Sequence, residues 1–75
     1  MTWKNRIEFN PKIMGGKPVI KGTRVPVQVI VGSLAGGMSE EEVSREYKVT
    51  LKDIRAALAY AADTLTEEKV YAISH

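Results

Sequence analysis

The sequence predicts a mainly α fold: a helix-turn-helix bundle of three helices preceded by short N-terminal β-strands, in one domain spanning residues 1–75. Residues 26–65 hold apolar side chains at helical spacing, separated by capping and stop signals. Residues 6–25 hold only short β-branched runs between glycines and prolines, and residues 66–75 form a tail. A domain of this size buries only about 60% of its unfolded surface, which favours self-association, because there is no cysteine to form a disulfide.

The N-terminal quarter predicts strands and turns. Arg6–Phe9 alternates polar and apolar residues, as a half-buried strand does. Pro18–Ile20 and Thr23–Val25 are separated by Lys21-Gly22, which predicts a tight hairpin or a short extended excursion. Such short strands are marginal alone, so pairing with the same strands of a second subunit is an alternative. Gly15-Gly16 predicts a turn with positive φ rather than a phosphate loop, since positions 11 and 18, where that motif needs glycine and serine or threonine, are both proline.

The bounds of the first two helices are predicted by residues that typically begin or end a helix. Pro26 suits a first helical turn, and Gly36-Gly37 supplies the stop. Ser39 followed by three glutamates, the last being Glu42, is a capping box that opens the second helix. We expect that helix to bury Val43 and Tyr47.

The third helix follows a break at Lys48-Val49 and opens at Thr50, with Asp53 three residues later. One apolar stripe is expected to form its buried face: Leu51, Ile54, Leu58, Ala61 and Leu65. Its five alanines fit high helix propensity, and they would also allow close approach of another helix, including one from a second copy of the chain.

Positive charge is concentrated at the front of the chain. Residues 1–27 carry six basic side chains and one acidic one, whereas residues 28–75 carry five basic and eight acidic ones. The asymmetry indicates either an anionic partner for the front half or charge complementarity between subunits. Lys17, Lys21 and Arg24 are the candidate residues for binding a partner or an anion.

The spacing of the second and third helices is that of a DNA-binding helix-turn-helix, whose second helix enters the major groove. The candidate DNA contacts lie in the break and at the start of the third helix: Lys48, Thr50, Lys52 and Arg55. The glutamates of the second helix argue against this reading, because that helix also approaches the phosphates in the usual docking.

Several function classes are not expected. The only histidine is the last residue, His75, and no set of nucleophile, histidine and carboxylate indicates an enzyme. No cofactor or metal site is predicted. There is no signal-peptide pattern and no apolar run of about 20 residues, so we expect no membrane partner and a cytoplasmic protein.

Three segments resemble one prokaryotic family: the run from Gly15 to Val27, Gly37–Glu41, and Leu51–Ala61. The family is the one called domain of unknown function 433, and the resemblance covers residues 6–65. It implies a homeodomain-like helical bundle and, less directly, a VapB-type antitoxin that binds and silences a PIN-like ribonuclease toxin. The family supplies no catalytic residues.

Together these observations predict a dimeric antitoxin that occludes a ribonuclease toxin and binds operator DNA. The alternative is a dimeric interaction or assembly module with no nucleic-acid role. The glutamates of the second helix and the acidic C-terminal half favour the alternative.

Overall fold

The computed structural model describes residues 2–67 and confirms three helices preceded by short strands. The strands β1 and β2 span Ile7–Glu8 and Val19–Ile20, and a single 3-10 turn, Met14–Gly16, lies between them. The helices α1, α2 and α3 span Val27–Ala35, Glu40–Tyr47 and Leu51–Glu67. The rest of the predicted tail, residues 68–75, lies outside the described residues.

The strands pair with each other inside the chain. β1 is antiparallel to β2, with Ile7 opposite Ile20 and Glu8 opposite Val19. The predicted hairpin is also present, because the Ile20 N–H donates to the Val25 carbonyl at 2.9 Å. Its turn requires a φ of +80° at Gly22, whose N–H donates to the Glu8 carboxylate at 3.0 Å. Residues 7–8 and 23–26 therefore flank β2 on its two edges.

The glycines before β2 adopt the predicted left-handed conformation. Gly15 and Gly16 have φ of +67° and +88°, and Met14 joins them at +54°. Main-chain hydrogen bonds from Gly16 to Ile13 and from Lys17 to Met14 close this turn. The segment is a compact reversal that leads directly into β2.

The starts of α2 and α3 are both capping boxes, as the sequence predicts. At α2, the Ser39 hydroxyl accepts from the Glu42 N–H at 3.1 Å, and the Glu42 carboxylate accepts from the Ser39 N–H at 2.8 Å. At α3, Thr50 and Asp53 exchange the equivalent pair of bonds, both at 3.0 Å. Each box satisfies two of the donors that a helix N-terminus leaves unpaired.

One core joins the hairpin to all three helices. Its buried side chains are Ile7, Val19, Ile20, Val27, Ile30, Val43, Val49, Ile54, Ala56 and Ala57. The predicted burial of Val43 is confirmed, and Tyr47 packs against the core from the side while sharing a 3.0 Å hydrogen bond with Ser33 of α1.

The predicted buried stripe of α3 is wrong in three of its five positions. Leu51, Leu58 and Leu65 are 39%, 38% and 55% exposed. The face that packs against α1 and α2 is instead centred on Ile54 and Ala57. Leucines that repeat every seven residues also satisfy a helical pattern, so spacing alone did not reveal that these three lie on the outer side. The small buried alanines serve close packing within the chain.

Candidate functional site

A helix-turn-helix is built by α2, a three-residue connection and α3. Lys48 is in the left-handed conformation, with φ 58° and ψ 45°, and its N–H donates to the Ser44 carbonyl. Val49 is buried, and the Ser44 hydroxyl donates to its carbonyl oxygen. The turn is thus fixed by one buried side chain and by hydrogen bonds at both ends, which holds α3 at a defined angle to α2.

The four candidate DNA contacts lie together on the surface at this turn. Lys48, Thr50, Lys52 and Arg55 are all exposed, within the connection and the first turns of α3. The Thr50 hydroxyl already accepts the Asp53 N–H as part of the helix cap, so its role is at least partly structural. Lys52 and Arg55 project from the part of the helix that reads bases in a helix-turn-helix.

An ion pair ties the start of α3 to the strand region. The Arg6 guanidinium donates to the Asp53 carboxylate at 3.0 Å, in a partly buried contact. Burial raises the pKa of Asp53, but the Thr50 N–H, the Arg6 guanidinium and the Thr50 hydroxyl together outweigh it and lower that pKa below its usual value. Asp53 is therefore an anion at neutral pH.

The tip of the hairpin reaches the same region through Arg6. The Lys21 N–H donates to the Arg6 carbonyl at 2.8 Å, while the Arg6 side chain contacts Asp53. Lys21 and Arg24, both exposed, flank the turn of the hairpin. Lys21 is thus one main-chain hydrogen bond away from Arg6, whose side chain contacts the N-terminus of α3.

Lys17 lies apart from that basic tip. It is exposed and precedes β2, four residues before Lys21, which corresponds to about 13 Å along an extended chain. The hairpin register, in which the Val27 N–H donates to the Pro18 carbonyl, sets Lys17 near the start of α1 instead. The three predicted basic residues thus form two groups.

A groove that the sequence did not reveal lies next to Lys17. It has a volume of about 430 Å³ and runs between the start of α1 and the C-terminal half of α3. Its lining is mostly apolar: Pro18, Pro26, Val27, Val31, Tyr60, Ala61 and Leu65, with Lys17, Gln28 and Thr64 as the polar members. In the sequence, its two prolines indicate only local structure, because Pro18 begins a short β-branched run and Pro26 suits a first helical turn.

An aromatic cluster holds the N-terminal residues against α3. The ring of Trp3 packs edge-on against Tyr60 with centroids 4.8 Å apart, and Phe9 lies 5.7 Å from Tyr60. The Trp3 indole N–H donates to Asp63 at 2.8 Å. These contacts fix the middle of α3, whereas Arg6 fixes its start.

The N-terminus of α2 is strongly acidic. Glu41 and Glu42 are exposed and Glu40 is partly so. The Ser39 N–H and then the Ser39 hydroxyl hold the pKa of Glu42 below its ordinary value, so this residue is charged at neutral pH. The first turn of α2 thus holds three acidic side chains, Glu40, Glu41 and Glu42.

The described part of the chain adds two negative findings. Residues 2–67 contain no cluster of three side chains that could ligate a metal ion. None of the helices within that range has the length and apolar character needed to cross a membrane.

Comparison with known proteins identifies the family. The family described as protein of unknown function, DUF433, matches residues 7–61. The chain belongs to this family. The matched region begins at β1 and ends within α3, so it includes the hairpin, the helix-turn-helix and most of the groove.

Two relatives with solved structures share the fold. A DUF433 member from Anabaena variabilis is 29% identical, with a TM-score of 0.77 over 85% of this chain and 64% of its own. Rv2018 from Mycobacterium tuberculosis is also 29% identical, with a TM-score of 0.68 over 76% of this chain and 27% of its own.

In sequence, the uncharacterized protein y4eO of Sinorhizobium fredii is 42% identical over 56 residues. Those residues are 73% of this chain and 25% of the relative, so the chain spans about a quarter of the length of that protein.

Proposed function

We propose that this DUF433 protein is a small non-catalytic DNA-binding regulator of the antitoxin type. In this proposal α3 reads bases in the major groove with Lys52 and Arg55, while Lys48 and the hairpin tip neutralise phosphates. The same protein sequesters a ribonuclease toxin by occlusion and represses its own operon.

The observation that carries the DNA-binding part is the contact path from Lys21 through Arg6 to Asp53. This path links Lys21 of the hairpin to the start of α3, where Lys52 and Arg55 are exposed. In the proposal, Lys21 and Arg24 supply the cations that the first turn of α2 lacks, because that turn holds three glutamates. Affinity for DNA depends on such phosphate contacts, and specificity depends on the base contacts.

The toxin-binding part is supported by the other basic group. Lys17 lies at the edge of the apolar groove, so that a partner segment with apolar side chains and a nearby carboxylate would match its chemistry. Metal-dependent nucleases hold their ions with carboxylates, and an acidic cleft of that kind fits a basic apolar surface. The resemblance to antitoxins supplies the partner class.

Fluorescence anisotropy with duplex DNA from upstream of the protein's own gene tests the DNA-binding part. Replacing both Lys52 and Arg55 with alanine should cost about 1–3 kcal/mol per lost base contact and should remove discrimination against unrelated DNA. Replacing Lys21 and Arg24 with alanine should weaken binding to all sequences alike and reduce the salt slope by about one unit per lost phosphate contact.

The control is Lys12→Ala, which removes one exposed charge outside both groups. Binding that is insensitive to salt, or that survives the Lys52 and Arg55 replacement unchanged, would contradict DNA recognition by α3.

The toxin-binding part is tested separately, by adding the protein to a small ribonuclease encoded beside its gene. Inhibition that is lost in Lys17→Glu but retained in Lys12→Glu supports occlusion, and no inhibition contradicts it.

A self-assembling interaction module without DNA binding is the second candidate. The exposed leucines of α3 and the acidic start of α2 favour it. In this case, replacing Lys52 and Arg55 would leave every binding activity unchanged.

A further inference from the structure

The groove between α1 and α3 has the size and the lining of a small-molecule site. Its volume of about 430 Å³ lies within the range of about 300–1,000 Å³ that is typical of ligand pockets. Such pockets combine a mostly apolar lining with a few polar groups, as this groove does. Leu65 at its edge is 55% exposed, so an occupant would remove apolar surface from water.

Hydrogen bonds and ring contacts hold both walls of the groove in place. On the side of α1, the Val27 N–H donates to the Pro18 carbonyl at 2.9 Å. On the side of α3, the Thr64 hydroxyl donates to the Tyr60 carbonyl at 2.9 Å. The Tyr60 ring also packs against Trp3, with centroids 4.8 Å apart. An occupant would therefore meet a site that is already formed, which lowers the ordering cost of binding.

The charge of the lining selects an anion. Among the described residues that line the groove, Lys17 carries the only charge. Gln28 adds an exposed amide whose N–H groups can donate to a carboxylate. Asp63, which precedes Thr64, is outside the lining, and its carboxylate accepts the Trp3 indole N–H at 2.8 Å. The matching occupant has an apolar body and one negatively charged group that reaches Lys17.

The volume limits the size of that occupant. Benzene, with six carbon atoms, occupies an apolar cavity of about 150 Å³ in another protein. By the same ratio, a filled groove of about 430 Å³ holds about 17 non-hydrogen atoms. A carboxylate with about eight to twelve carbon atoms stays within this limit.

We propose that the groove binds a small monocarboxylate, with its carboxylate at Lys17 and its apolar body between α1 and α3. This inference rests on the groove itself and does not depend on DNA binding or toxin binding. Because the same groove is the proposed docking site of the ribonuclease, a bound carboxylate would compete with that partner. Inhibition of the ribonuclease would then fall as the concentration of the carboxylate rises.

Titration with octanoate, followed by the fluorescence of Trp3, tests the site directly. Trp3 is the only tryptophan of the chain, and it contacts Tyr60, which lines the groove. Octanoate has about ten non-hydrogen atoms, so we expect saturable binding with a dissociation constant of about 0.1–10 mM.

Octylammonium, which has the same chain length and the opposite charge, is the matched probe. An exposed ion pair contributes about 1.5- to 5-fold in affinity, and a like charge weakens binding by a similar factor. Octanoate should therefore bind the natural chain about 2- to 25-fold more tightly than octylammonium.

Two matched pairs of variants locate the binding. Lys17→Glu should reverse the preference, so that octylammonium binds more tightly than octanoate. Arg45→Glu makes the same change of charge at an exposed site on α2, none of whose residues lines the groove, and should keep the natural preference. Ala61→Phe fills the groove and should weaken the binding of both probes by at least about tenfold. Ala62→Phe adds the same ring at the exposed neighbouring position outside the lining and should leave binding unchanged.

Circular dichroism shows whether each variant is folded, and Lys17→Glu, at an exposed site, keeps the test valid if Ala61→Phe does not fold. The proposal is overturned if octanoate does not bind the natural chain saturably, or if its preference over octylammonium persists in Lys17→Glu. If octanoate does not bind but Ala61→Phe abolishes inhibition of the ribonuclease, the groove serves the partner protein alone. Octanoate binding to a protein that inhibits no ribonuclease would support the ligand site and contradict only the antitoxin function.

Discussion

Replacing Asp53 with alanine is expected to lower the free energy of unfolding by about 1–3 kcal/mol at pH 7. The loss has two parts. Asp53 closes the capping box of α3 with Thr50, and losing such a cap costs about 0.5–2 kcal/mol. Asp53 also pairs with Arg6, whose side chain is 36% exposed while that of Asp53 is 16% exposed. Because solvent screens an ion pair of this exposure, we assign the Arg6–Asp53 pair a contribution of about 0.5–1 kcal/mol to the free energy of unfolding.

A double-mutant cycle separates the two parts. Arg6→Gln keeps most of the hydrocarbon stem and removes the charge, so it should cost only the ion pair. Urea unfolding of the natural chain, Arg6→Gln, Asp53→Ala and the double variant should give a coupling energy of about 0.5–1 kcal/mol. A coupling of zero at pH 7 would refute the inference that this pair fastens the strand region to α3.

The coupling should also depend on pH in one direction. The pKa of Asp53 is lower in the folded chain than its unfolded value of about 3.9. A lowered pKa contributes stability that is present above the unfolded value and is lost as the pH falls through the folded one. The coupling measured at pH 7 should therefore persist to about pH 5 and disappear in more acidic solution. A coupling that grows on acidification would contradict the assignment of Asp53 as the anion of the pair.

Three further stability predictions can be measured by the same urea unfolding. Ile54→Ala should lower the free energy of unfolding by about 2–5 kcal/mol because Ile54 is fully buried. Leu58→Ala, at a 38% exposed site of the same helix, should lower it far less. Equal losses would contradict the assigned faces of α3. Lys48→Gly should raise the free energy of unfolding by about 0.5–1 kcal/mol. A residue with a Cβ is strained in the left-handed conformation, and relief of this strain exceeds the entropic cost of glycine. A lower free energy of unfolding would mean that the lysine side chain makes stabilising contacts. Gly22→Ala should destabilise the hairpin because the φ of Gly22 is +80°, even though no atom lies within 4 Å of an added Cβ. An unchanged urea midpoint would show that the turn relaxes to accept alanine.

Local signals predicted the ends of the helices well. The capping boxes at Ser39 and Thr50 and the glycines at 36 and 37 each act through neighbouring backbone groups, so a single sequence contains the relevant physics. The left-handed turn at Gly15 was predictable for the same reason. What the sequence did not determine was the direction in which α3 faces, because both Ile54 and Leu58 fit helical spacing and only the tertiary contacts distinguish them.

The candidate site was predictable in its members and less so in its arrangement. Residues Lys52 and Arg55 could be assigned to the start of α3 from the helix cap alone. The link between the start of α3 and the hairpin is made by Arg6, which contacts Lys21 through its main chain and Asp53 through its side chain across 47 residues of sequence. No local pattern encodes a contact of that range, and the groove beside Lys17 is likewise formed by elements that are distant in the chain.

The position of Arg55 couples the two candidate functions physically. Arg55 is exposed on α3, the helix that also carries the exposed leucines cited for the interaction module. A partner that covers this part of α3 would compete with a DNA groove for Arg55, so the amount of DNA bound would fall as the concentration of that partner rises. A protein that docks at the groove between α1 and α3 would contact Leu65, near the end of the same helix. DNA binding and protein binding would therefore both act on α3, and each should be measured in the presence of the other.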